Sequence, residues 1–170
     1  MSKSKVKMSF LVVILVILGT TSTAWADPKG PQRLRGLDDR VFLVDVDFYV
    51  NGVGLVDSFA NCYFFTSELG DDGKKIWLES QQPDALGSWK QHSTGASTSY
   101  FVTADLPASL FGFPTTLLQL GQVSPAGGKG VLQLEAISTI GEFGDLFEFI
   151  SVGSEIDEAD AEGSCPDPES

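Results

Sequence analysis

The chain carries one histidine, His92, and two cysteines, Cys62 and Cys165, against 23 acidic residues. A serine nucleophile activated by imidazole would have to use His92. Ser88 and Ser93 are close in sequence, but no Gly-x-Ser-x-Gly elbow presents a serine, so His92 reads as a surface imidazole. One histidine and one cysteine pair do not make a typical zinc site. The absence of Cys-x-x-Cys argues against thioredoxin-like chemistry. Gly127-Gly128-Lys129-Gly130 lacks the Gly-x-x-x-x-Gly-Lys-Ser/Thr pattern that cradles phosphate. Carboxylates are so numerous that finding two at a glycosidase separation would mean little. No motif specifies a reaction, and no catalytic residue, metal ligand or cofactor is assigned.

Binding chemistry is better represented. Asp45 and Asp47 share one face of a strand pattern, and Asp57 would lie across the following hairpin. Three converging carboxylates would suit Ca²⁺, whereas a solvated acidic face would discourage edge-to-edge association; the second reading is favoured. Gly70-Asp71-Asp72-Gly73 reads as a turn. The aromatic candidates are Trp89, set between Gly87-Ser88 and polar residues, and Phe111 and Phe113 in the apolar loop Leu110-Phe111-Gly112-Phe113. With Tyr100 as a polar handle, they form the expected ligand-binding set at a barrel mouth. The alternative is that the loop folds inward as a plug. Trp77, within an apolar strand pattern, is expected in the core.

The elements that would position these residues are strands. In Val41–Val50 the residues Phe42, Val44, Val46, Phe48 and Val50 alternate with Asp45 and Asp47, the period of a half-buried strand. Asn51-Gly52 signals a hairpin, with Gly54 leaving its register open. Further strands are predicted over 55–66, 75–80, 89–93, 98–105, 115–124, 131–140 and 146–152, separated by Gly/Pro turns. No helical pattern of convincing length occurs. The expectation is one small antiparallel all-β domain of about eight strands, an up-and-down, lipocalin-like barrel or a β-sandwich. The lipocalin comparison is one of architecture, with no accompanying sequence signature.

The chain divides into 1–26, 27–39, 40–153 and 154–170. The first segment opens with Lys3, Lys5 and Lys7, continues through the apolar run Phe10–Leu18 and ends at Ala24-Trp25-Ala26, the order of a secretory signal peptide. Its removal would take three of the 11 basic residues and no acids, moving the formal charge from −12 to −15. The second segment is a Pro/Gly-rich leader, and Lys29, Arg33, Arg35 and Arg40 form a basic cluster running from it to the start of the third. The third is the β domain, and the fourth is an acidic tail, flexible unless a disulfide holds it. In an exported chain Cys62 and Cys165 are expected to pair and pin that tail to the sheet. Such a surface is a poor partner for nucleic acid, and no transmembrane anchor is expected after cleavage. Oligomeric state is unassigned.

The functional expectation is a secreted or periplasmic non-enzymatic β-domain that binds a small apolar ligand or a protein partner. The alternative is an acidic surface or extracellular structural protein, cation-dependent through its strand face or tail. A hydrolase is the least favoured reading.

Overall fold

The computed structural model describes residues 36–94, 97–108, 112–126, 131–144 and 146–167. The signal segment, most of the leader, Leu110, Phe111 and the Gly127–Gly130 connection lie outside the described residues. Eight strands follow in chain order: β1 (Arg40–Val50), β2 (Gly54–Leu69), β3 (Lys75–Glu79), β4 (Leu86–Thr94), β5 (Ser97–Leu106), β6 (Thr115–Pro125), β7 (Leu132–Ile140) and β8 (Phe147–Ile156). Each pairs antiparallel with its predecessor, and β8 returns to β1 from Val41↔Ile156 to Val50↔Phe147. The sheet is thus a closed up-and-down barrel, and the sandwich alternative is set aside.

Alternation in β1 works as its residue pattern demands: Phe42, Val44 and Val46 are buried inside while Asp45 is exposed outside. The first hairpin turns through three residues, with Gly52 and Gly54 at φ 80° and 97° and Val53 N–H donating to the Val50 carbonyl at 3.0 Å. Only glycine adopts that backbone without strain. The register then slips between Phe48↔Asp57 and Tyr49↔Leu55, leaving Val56 as a bulge.

The interior is filled by aromatic rings seated on small residues. Phe65 meets Phe42, Trp89 and Tyr100 edge-on at centroid separations of 5.8, 5.4 and 4.8 Å. Trp77 lies over Gly87 and Tyr100 over Gly121; a Cβ at those glycines would come within 2.6 Å of Trp77 Cε3 and 2.2 Å of Tyr100 Cζ. Close packing of this kind is what lets large rings share a narrow barrel.

Residues ahead of β1 close one end. Leu37 is fully buried in the core, and its N–H donates to Gln91 Oε1 at 2.9 Å. Asp38 pairs with Lys75, and Asp39, at φ 57°, accepts the Ser67 N–H at 2.8 Å. Arg40 donates to the Gly36 carbonyl and pairs with Glu155. The last contact joins the basic cluster, at the first residue of β1, to the acidic C-terminal region.

The tail, expected to be flexible unless a disulfide holds it, carries structure next to the disulfide. β8 runs on to Ile156, and residues Glu158–Ser164 form a short helix, α1. Its Ala161 is buried with Val41 and Cys62 on the outer barrel wall, and Leu43, Phe64 and Ile156 pack against them. Cys62 and Cys165 form the expected disulfide, with Cα atoms 5.6 Å apart. The covalent tie and this small apolar contact hold a segment whose composition alone favours solvent.

Candidate functional site

The barrel is not filled along its whole length. At the end opposite Leu37 a cavity of about 230 Å³ opens between the strands. Its apolar wall comes from Val46 of β1, Phe59 of β2, Leu106 of β5, Leu117 of β6 and Phe149 of β8. Its polar groups are Asp57, Asn61 and Tyr63 of β2, Glu79 of β3, Ser138 of β7, and Gln81 and Gln82 of the β3–β4 connection.

Asn61 organises the polar side. It is buried, its Nδ2 donates to Glu79 Oε2 at 2.9 Å, and its Oδ1 accepts from Cys62 N–H, Ser80 Oγ and Gln81 N–H at 2.8, 3.0 and 3.2 Å. The first of these anchors lies beside the disulfide. The other two bind the β3–β4 connection over the gap beyond the short β3. Glu79 is half-buried, and desolvation pushes its carboxyl up to about 7, against the opposing pull of the Asn61 hydrogen bond. It therefore sits near half-ionisation at neutral pH.

Deeper in, Tyr63 Oη and Ser151 Oγ are 2.7 Å apart, and Gln119 Nε2 donates to Ser138 Oγ at 3.0 Å. Burial raises the Tyr63 and Tyr100 phenols well above their ordinary range, so both are neutral hydroxyls. Tyr100 Oη, Gln119 Oε1 and Thr115 Oγ1 are buried with no partner among the described residues. Each such group costs about 1–3 kcal/mol. The middle of the barrel is therefore polar and partly unsatisfied, between an aromatic closed half and the cavity.

The expected binding set is not brought together. Trp89 is buried in the closed half, its Nε1 donating to the Thr66 carbonyl at 3.0 Å and Lys75 Nζ lying 4.9 Å from its ring. Tyr100 is buried against Gly121 and Phe65. Phe113 is half-exposed and meets Phe143 at 5.4 Å, at the rim of the open end. None of these three lines the cavity. Phe111 is outside the described residues. Trp77 is in the core as expected.

Phe113 nonetheless connects to the site. Phe143 contacts Phe147 at 5.8 Å, Phe147 stacks on Phe48 at 5.8 Å, and Phe48 stacks on the cavity-lining Phe149 at 4.8 Å. The chain of five rings runs from the loop to the cavity wall. Of the two carboxylates in the cavity, Glu79 gave no signal in the sequence and Asp57 was expected beside Asp45 and Asp47. Glu79 follows Trp77 by two residues and so shares its inward face, but Ile76 and Leu78 make both faces of β3 apolar and hide the alternation. Asp57 pairs with inward-facing Phe48, so it does not converge with Asp45 and Asp47 outside. The three-carboxylate calcium arrangement is not formed, and the described residues contain no cluster of three potential metal ligands.

His92 is exposed. On the outer wall Phe101, Leu120, Ile137 and Ile150 stand in one cross-strand row over β5–β8, with Leu120 65% and Ile137 51% exposed. No described helix is long and apolar enough to cross a membrane.

Fold and cavity together define the class: an eight-stranded antiparallel up-and-down barrel with an interior site open at one end. No family model, curated protein or solved structure matches the chain.

Proposed function

We propose that the protein is an exported, non-enzymatic carrier that holds a small, largely apolar molecule in the open half of its barrel. The observation that supports it is the cavity itself: a concave, mostly apolar wall with a few convergent polar groups, the usual composition of a small-molecule site. Its volume falls just below the ~300–1,000 Å³ common for such sites. The occupant is therefore small, or extends out past the rim phenylalanines. Export is supported by the signal pattern of residues 1–26 and by the disulfide, which persists in oxidising compartments.

Affinity in this reading comes from burying apolar ligand surface against Phe59, Leu117 and Phe149, at roughly 25 cal/mol per Å², less the cost of association. The test is native mass spectrometry of the oxidised protein purified from its natural compartment. The expected result is a stoichiometric adduct, absent from a Leu117→Trp variant whose indole occupies the cavity and whose melting curve confirms folding. Bare wild-type protein from that source would overturn the carrier reading.

A further inference from the structure

We infer that the cavity selects molecules carrying a protonated amine on a small apolar body, with Glu79 as the counter-ion. This rests on the carrier reading and narrows it to a ligand class. The lining carries two carboxylates, Glu79 and Asp57, and no lysine, arginine or histidine. An anionic ligand, such as a fatty acid, would enter beside like charges with no cation to pair with. A buried unpaired charge of that kind is strongly disfavoured. An ammonium, by contrast, meets a carboxylate that Asn61 already holds in place through a 2.9 Å hydrogen bond. A preorganised charged acceptor gives one of the stronger hydrogen bonds available. The rings of Phe59, Tyr63 and Phe149 line the same space, and aromatic walls tolerate a cation as well as an apolar group. The formal charge of −12 also draws cations toward the molecule.

The pH response follows from the groups around Glu79. Asn61, Tyr63 and Asp57 of β2 and Gln81 and Gln82 of the β3–β4 connection line the same cavity, and Asn61 donates to Glu79 directly. Tyr63 stays neutral, so the pH response near neutral pH is that of Glu79. With Glu79 half-ionised near pH 7, an ammonium binds more tightly as pH rises from 5.5 to 8.

The experiment uses three probes of matched size with the oxidised protein: 2-phenylethylamine, 2-phenylethanol and 3-phenylpropanoate, titrated calorimetrically at pH 8 and pH 5.5. At pH 8 the amine is expected to bind about tenfold tighter than the alcohol, the effect of one charge-assisted contact. The carboxylate is expected to bind more weakly than either. At pH 5.5 the preference for the amine shrinks. Glu79→Gln is expected to bring the amine to about the affinity of the alcohol. Alcohol or carboxylate binding as tight as amine binding in the wild-type protein would overturn the amine assignment while leaving the carrier reading standing. Failure of all three probes would count against the cavity as a small-molecule site, and the assignment would fall with it. The wild-type pH comparison decides the matter even if Glu79→Gln does not fold.

Discussion

Replacing Glu79 by glutamine should stabilise the protein at alkaline pH and lose that advantage in acid. In the folded state the carboxyl holds its proton up to about pH 7, whereas its ordinary value is 4.5. Between those values the native protein binds more protons than the unfolded chain. Stability contributed by this group is therefore fully present below pH 4.5 and is lost as pH rises through 7. The displacement corresponds to about 3 kcal/mol once the carboxylate is fully ionised. Glutamine is nearly isosteric, can accept the same Asn61 Nδ2 hydrogen bond, and does not titrate. Urea unfolding of both proteins, oxidised, from pH 5 to 8.5 gives the difference directly. Exposed groups such as Asp39 and Asp72, whose carboxyls backbone and side-chain hydrogen bonds hold below the ordinary range, are common to both proteins and cancel. The stability of Glu79→Gln relative to wild type should climb by about 2.5 kcal/mol across this range. A flat difference would show that Glu79 is solvated like any surface acid, and the reasoning about its burial would fail. A group kept in place at such a cost is what a binding site, rather than a packed core, would retain.

Three further outcomes test the framework around the site. Gly121→Ala places a methyl 2.2 Å from Tyr100 Cζ and should cost about 2–3 kcal/mol in urea unfolding; in a Tyr100→Ala background the same change should cost almost nothing, and equal costs in both backgrounds would refute the contact. Removing the disulfide by Cys62→Ala with Cys165→Ala opens a loop of 103 residues and should lower stability by about 2–5 kcal/mol, with faster amide exchange in α1 than in β1. Leu37→Ala empties a fully buried position at the closed end and should cost about 2–5 kcal/mol by denaturant titration, leaving binding at the opposite end unchanged; a cost below 1 kcal/mol would remove Leu37 as the plug.

Much of the architecture was legible in local pattern. Alternation in Val41–Val50, turn residues at Asn51-Gly52 and the β6–β7 hairpin each depend on neighbours a few residues apart, where steric preference and half-burial act directly on sequence. The cysteine pairing was legible from number and expected compartment, because two thiols in a chain expected to be exported have one intramolecular partner each. The candidate site was far less so. Trp89 and Phe113 look alike in a one-dimensional reading, as aromatic residues within two positions of a glycine. In the barrel, Trp89 pairs opposite Val102 and points into the closed half, while Phe113 stands on the opposite rim.

The residues themselves determined that this is a small, acidic, antiparallel β protein with one disulfide framework. Tertiary structure decided three things: closure, the ordering of the tail and the location of the cavity. Closure rests on β1 meeting β8, residues about a hundred positions apart whose pairing no local preference encodes. The tail is ordered by a bond to Cys62 and by contact with Val41, both distant in sequence. The cavity exists because side chains from β1, β2, β5, β6 and β8 stop short of one another at one end, and whether space remains between elements is a property of their assembly. Glu79 acquires its shifted ionisation only there, since burial is conferred by neighbours and not by the residue.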